Sequence, residues 1–409
     1  MAAAAPRSTL SADSPAFDPA KKTLTIGGKI RYLAPEGEGA FGTVWRDCID
    51  HRTVWKVANI EGEDLQHEFK ILQRAEGLSN VVQLRDKELY SIVEDGKKHL
   101  VLSLKRAPGK PLSAWIKERT LLSIDACAVL KGVLIALYGL EKRELYHFDI
   151  KPSNIMYDWE SRTVTLIDLG IAEEAAAVAP VLSCVEKCAD LALEKQSLWY
   201  RDPALILGEP RKADIWSLAC TILELLTGRP LIPSTPGEPL ENDRRLAAVD
   251  HVLDLRVSPT FQTEHPVEFS KYYTRDAEIA RPLPETARAR MSKVDLRTFF
   301  PILQDLFQKM LCISTKRITT TEALQHPALS GVRAFRCPPV RTGVSISLFA
   351  NSTQIWSLPD SPNPNTQYVI PFWSDYFLLI TDERGDTTSR KCSVNEYEEL
   401  PLPEDVLQK

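Results

Sequence analysis

The sequence predicts an α+β protein of two lobes, a small antiparallel β lobe carrying one helix and a larger, mainly helical lobe. Three observations lead there. The first hundred residues hold short runs of β-branched and aromatic residues set between turn signals, with one helical stretch among them. After Pro111, apolar residues recur at helical spacing. At roughly 150 residues per domain, the 409-residue chain has room for two or three folding units.

Residues 1 to about 22 are rich in Ala, Ser and Pro and predict a disordered leader. Lys29 to Ala34 alternates as a strand does, and a glycine-rich turn follows. Thr43 to Ile49 and Thr53 to Ala58 are the next strands, parted by the turn at His51 and Arg52. Glu63 to Ala75 reads as a helix with Leu65, Phe69, Ile71 and Leu72 on or near one face. A strand at His99 to Leu104 ends the small lobe.

In the large lobe, Asp125 to Glu141 carries Val129, Leu130, Val133, Leu137 and Leu140 at helical spacing. Short strands near Asn154 to Tyr157 and Val164 to Ile167 follow. Asp214 to Leu226 is a helix that Gly228 is placed to end. The stretch 229–293 is Pro-rich and polar, with one helix at Asp243 to Leu255. Leu296 to Leu311 and Thr320 to His326 are further helices. Ser345 to Phe349, Thr353 to Leu358 and Tyr376 to Thr381 have strand composition. The predicted organisation is a leader (1–22), a two-lobed domain (23–332, divided at about 104) and a β-rich appendage (333–409) of unassigned role.

Fifty Lys and Arg stand against 55 Asp and Glu, a net charge of -5, with 44% apolar residues. This excludes a mostly disordered chain and argues against non-specific nucleic-acid binding, which needs a basic surface. It permits a basic protein as substrate. The longest apolar stretch, Ala126 to Leu140, is broken by Lys131 and too short for a membrane span. The eight cysteines form no Cys-x-x-Cys pair and no signal peptide opens the chain, so reduced thiols in an intracellular setting, cytoplasmic or nuclear, are expected.

Chemistry concentrates in three places. Gly37-Glu38-Gly39-Ala40-Phe41-Gly42, followed by Val44, is a turn whose glycines let backbone approach phosphate oxygens. The residues after it favour a strand, so a lid over a nucleotide fits better than a dinucleotide fold, where a helix must follow. On the next strand Lys56 needs a partner if it faces inward. Glu68, on the following helix, is the candidate carboxylate, with Glu61 and Glu63 as alternatives. The third place decides: His147-Phe148-Asp149-Ile150-Lys151-Pro152-Ser153-Asn154, then Asp168-Leu169-Gly170 at the end of an apolar strand. Asp149 can accept a hydroxyl proton, Lys151 can neutralise a transferring phosphoryl group, and Asn154 and Asp168 offer hard oxygen ligands for magnesium.

From about Lys29 to Leu329, these motifs resemble the eukaryotic protein kinase superfamily. The resemblance implies a bilobal kinase fold and a serine/threonine kinase acting on proteins with ATP and Mg. In it, the turn from Gly37 to Gly42 with Val44 covers the ATP phosphates. Lys56 holds the α- and β-phosphates and pairs with Glu68. Asp149 is the catalytic base, Lys151 contacts the γ-phosphate, and Asn154 and Asp168 bind the metal. Ser197 matches the hydroxyl residue that contacts the base, Asp214 the residue that brace the catalytic segment, and Arg317 the arginine near the end of the large lobe. Lys212 to Gly228, the Leu of Asp168-Leu169-Gly170 and the long stretch after Gly228 look like the CMGC group, especially SR-protein kinases, which implies an Arg-Ser-rich substrate. A pseudokinase scaffold and a small-molecule kinase are the competing readings.

Two residues depart from the pattern. Phe148 replaces an Arg that normally receives an activation-loop phosphate, so activity should survive phosphatase treatment. Ala204 stands where the family has a Glu that pairs with Arg317. Another carboxylate must then serve the guanidinium, and Asp202 is the candidate.

Overall fold

The computed structural model describes residues 16–39, 42–58, 63–94, 97–118, 123–176, 200–202, 212–232, 252, 301–312, 317–330, 333–337, 345–350, 353–357, 368–372, 376–382 and 384–392. The small lobe is one antiparallel sheet of β1 (Ala16–Asp18), β2 (Thr23–Ile26), β3 (Lys29–Gly39), β4 (Gly42–Asp47), β5 (Thr53–Ala58), β6 (Leu84–Glu94) and β7 (Lys97–Lys105). The spatial order is β1-β2-β3-β4-β5-β7-β6. β1 lies against β6, so the sheet curls until its two ends approach.

Alternation along β5 explains how the lobe is filled. Trp55 and Val57 point into the curl, where they pack with Phe17, Leu24, Leu33, Ile92 and Val101. Val54 and Ala58 point to the other face and join the main core. All six residues of β5 are therefore buried. Against that second face packs helix α1 (Glu63–Arg74), with Leu65, Ile71 and Leu72 in contact with the core.

The leader departs from expectation. Disorder is predicted through residue 22, but the structure places β1 there, with Phe17 paired opposite Leu24. Phe17 is buried and meets the Trp45 ring edge-on at 5.5 Å. One aromatic ring supplies the apolar area that orders an otherwise Ala- and Pro-rich stretch. The expected disorder of residues 1–15 lies outside the described residues.

The large lobe begins with β8 (Lys110–Pro111) and α2 (Leu112–Glu118) and is organised on α3 (Ser123–Lys142) and α4 (Ala213–Thr227). α3 is buried on most of its circumference, from Ala126 to Leu140. That suits a central helix. α4 ends at Gly228, whose φ of 71° lets its N–H reach the Glu224 carbonyl at 2.7 Å. β9 (Leu145–Tyr146) pairs with β12 (Glu173–Glu174), while β10 (Ile155–Asp158) lies between β8 and β11 (Thr163–Leu166). α5 (Pro301–Met310), α6 (Thr320–Leu324) and α7 (Pro327–Ser330) complete the described part of the lobe. The helix expected at Asp243 to Leu255 lies outside the described residues, apart from Val252.

Beyond residue 332, β13 (Arg333–Cys337) pairs with β16 (Tyr368–Phe372). A second sheet runs β15-β14-β17-β18, from Thr353–Ser357, Ser345–Ala350, Tyr376–Thr381 and Thr387–Cys392. Among the described residues no helix is long and apolar enough to cross a membrane. Cys48, Cys127, Cys220 and Cys312 are free thiols.

Candidate active site

Lys56 sits between Trp55 and Val57 on β5, so strand alternation turns its side chain away from the curl and toward α1. Its Nζ lies 2.7 Å from Oε2 of Glu68 and 2.8 Å from Oδ1 of Asp168. The 12-residue separation of Lys56 and Glu68 is thus enough, because α1 packs directly on β7 and β6 beside that face. Lys56 and Glu68 are 6% and 1% exposed, so both charges are desolvated and depend on each other. Burial works against the Lys56 ammonium, but the Glu68 and Asp168 carboxylates outweigh it and raise its pKa above the ordinary value. Burial likewise opposes the charge of Asp168, yet Lys56 holds its carboxyl below the usual range.

The catalytic segment hangs from one carboxylate. Asp214, in the first turn of α4, accepts the backbone N–H of His147 at 2.9 Å and of Phe148 at 2.8 Å. Two successive amides aimed at one side chain require an unusual backbone, and Phe148 has φ 60°. Strain of this kind costs roughly 1–3 kcal/mol and persists only where its surroundings impose it. The Phe148 ring is buried and lies 5.5 Å from that of Tyr146. His147 accepts the Asp149 N–H at its Nδ1 (3.2 Å). Its Nε2 therefore carries the hydrogen that faces the Ile167 carbonyl, also at 3.2 Å. This bond ties the segment to the strand that leads to Asp168.

Asp149 is 7% exposed, and its Oδ2 takes Lys151 Nζ at 2.7 Å and Asn154 Nδ2 at 2.8 Å. Asn154 Nδ2 also donates to the Asp149 carbonyl at 2.9 Å. Its amide nitrogen is thus committed inward, and its carbonyl oxygen is the atom a cation would meet. Asp168, at φ 63°, holds the other carboxylate of the set. Among the described residues no cluster of three His, Cys, Asp or Glu could hold a metal by itself. Two hard oxygen ligands suit magnesium, which is usually completed by water and phosphate oxygens. The donor set therefore fits Mg-ATP.

The glycine-rich turn divides into two roles. A Cβ on Gly42 would fall 2.3 Å from the Val57 carbonyl oxygen, so the fold itself demands glycine there. A Cβ on Gly37 would meet nothing within 4 Å. The chain has no steric need of glycine at 37, as expected if something outside the chain approaches it. Glu38 and Gly39 continue β3, Val44 lies on β4, and Ala40 and Phe41 fall outside the described residues. Arg106, after β7, donates to Glu36 at 2.8 Å and so ties the connection between the lobes to the strand entering the turn.

Arg317 is 2% exposed and forms a two-pronged pair with Asp202, one arm at 2.9 Å. Asp202 thus supplies the carboxylate that Ala204 cannot. Ser197 lies outside the described residues. Two supports of the site leave no signal in the sequence: the His147 bridge to Ile167, and the Tyr200 hydroxyl donating to Glu224 at 2.5 Å. Neither spacing nor composition marks a partner 20 or more residues away.

The protein kinase domain family matches residues 31–329. Mitogen-activated protein kinase 2 of Pneumocystis carinii is 30% identical over 233 residues, 56% of this chain and 61% of that one. A mitogen-activated protein kinase of Fusarium vanettenii is 31% identical over 217 residues, 51% of this chain and 54% of that one. Extracellular signal-regulated kinase 2 of Dictyostelium discoideum is 26% identical over 320 residues, covering 73% and 79% respectively. The chain thus spans little more than half the length of the first two relatives.

Proposed function

Since the chain belongs to the protein kinase family, we propose that it is a serine/threonine kinase that transfers the γ-phosphate of ATP to a protein hydroxyl. One observation carries the reading: two sets of side chains, Lys56 with Glu68 and Asp168, and Asp149 with Lys151 and Asn154, are each held by contacts of 2.7–2.8 Å, and the Ile167 N–H, next to Asp168, donates to the Asn154 carbonyl at 2.9 Å. Bound Mg-ATP supplies the transferable phosphoryl group and the charge that screens its oxygens. Lys56, held by Glu68, orients the nucleotide phosphates. Asn154 and Asp168 would supply the hard oxygen ligands for the metal. Asp149 receives the proton of the substrate hydroxyl, and Lys151, beside it, neutralises charge on the phosphoryl group in transit. The turn from Gly37 to Gly42, with Val44, would cover the phosphates.

The similarity to mitogen-activated protein kinases supports the CMGC group. The preference for Arg-Ser-rich proteins rests on sequence resemblance alone, at Lys212 to Gly228, Leu169 and the long stretch after Gly228. Incubation of the full chain with Mg-ATP, an Arg-Ser-rich peptide and a generic basic protein tests both levels. Asp149→Asn should reduce incorporation by about 10²- to 10⁴-fold, the usual loss for a general base. Wild-type-like turnover in that variant would discard the assignment. Nucleotide uptake by calorimetry without any transfer would identify a scaffold.

A further inference from the structure

Helix α1 meets the segment after Asp168 along one stripe. His67 Nε2 lies 2.7 Å from the Ala172 carbonyl oxygen. A carbonyl only accepts, so this ring nitrogen carries the hydrogen. Seven residues on, and so on the same side of the helix, Arg74 pairs with Glu174. Arg74 also donates to the Arg143 carbonyl at 2.8 Å, and Arg143 returns a bond to the Arg74 carbonyl at 2.9 Å. Arg74 and Glu174 are each more than a third exposed, and an ion pair so placed is worth little. Ala172 is fully buried, so losing its partner would leave a carbonyl orphaned in the core.

His67 immediately precedes Glu68, so the height at which α1 grips residue 172 also sets the reach of the Glu68 carboxylate. The gripped segment is itself fixed, because β12 pairs with β9 and β9 runs into His147. Phe148 offers no cation there, and its ring is turned into the interior against Tyr146.

We propose that His67 is a positioning residue, a latch between α1 and the Ala172 carbonyl that keeps Glu68 on Lys56 without a phosphate or a second protein to draw the helix in. This rests on the kinase reading. His67→Ala should lower kcat about fivefold, the worth of one such hydrogen bond, and leave KM for the protein substrate unchanged. His67→Gln, whose amide N–H reaches equally far from Cβ, should return kcat to within about twofold of wild type. In hydrogen–deuterium exchange of the full chain, peptides covering 168–176 should exchange faster in the Ala variant and not in the Gln variant, with α4 unaffected. An Ala variant matching wild type in both readouts, or a Gln variant as impaired as Ala, would overturn the latch. If the wild type transfers no phosphate and the exchange pattern still holds, the latch stands and the kinase reading falls.

Discussion

At the level of single residues, the site is a set of charges that the protein cannot leave alone. Lys56 shows the consequence for pH. Its raised pKa contributes stability that is complete below its ordinary value of 10.5 and lost as pH climbs through the folded value. The lowered pKa of Asp168 contributes stability above its ordinary 3.8, lost as pH falls through the folded value. Between roughly pH 5 and 9 both contributions are constant. Lys56→Met takes the cation from two carboxylates, and Glu68, which burial already pushes up, rises further. The variant's deficit in urea-unfolding free energy should therefore widen as pH rises from about 5 to 9, and a deficit independent of pH would contradict the pairing. Asp202 makes a sharper case, since its loss strands a buried guanidinium. Asp202→Ala should cost about 3–5 kcal/mol in chemical denaturation, and a loss below about 1 kcal/mol would mean that Arg317 finds another partner. The residues of this scale were the most legible in the sequence. Lys56, Asp149, Asn154 and Asp168 stand out because the proposed phosphoryl transfer would need those side chains in that order. Asp202 was legible only by subtraction, from the charge that Ala204 leaves unmatched. His67 was not legible, because nothing local distinguishes a working imidazole on a helix from an idle one.

Among the elements, the glycine-rich turn separates what the fold needs from what the proposed nucleotide would need. Gly42→Ala forces a Cβ onto the Val57 carbonyl and should lower the thermal unfolding midpoint by disturbing the β4–β5 pairing. Gly37→Ala should leave that midpoint unchanged and raise KM for ATP. Equal thermal effects of the two variants would refute the division. Element type was readable wherever one periodicity dominated, as in β5, α1, α3 and α4. β6 was missed because charged residues (Arg85, Asp86, Lys87, Glu88) interrupt its apolar positions, as suits a strand at the end of the sheet order. α2 was missed because seven residues are too few to show a helical period. β1 was missed because Phe17 is its only strong signal.

Over the whole molecule, one apolar core runs through both lobes. Leu65, Ile71 and Leu102 of the small lobe belong to the same cluster as Leu130, Leu134 and Trp216 of the large one. Backbone bonds reinforce the seam: Leu166 N–H donates to Asn80 at 2.7 Å, and Val82 N–H to Leu166 at 2.9 Å. The lobes should unfold together. Tryptophan fluorescence, with Trp55 above the cleft and Trp216 below it, and helical circular dichroism should lose signal at one common denaturant midpoint. Two separated midpoints would show that the lobes are independent. The bilobal plan was legible from the change of periodicity near residue 111, but this continuity was not, since contact across lobes leaves no local trace in a sequence.

The curled sheet has a practical side. The stretch that matches the family starts at residue 31, yet β1 and β2 lie upstream of it and fill the hollow that Trp55, Val57 and Val101 line. A recombinant fragment cut to the family boundary would keep every residue named in the chemistry and still leave that hollow open to water. Cloning should begin ahead of Ala16, or the loss of a greasy plug will be mistaken for a dead enzyme.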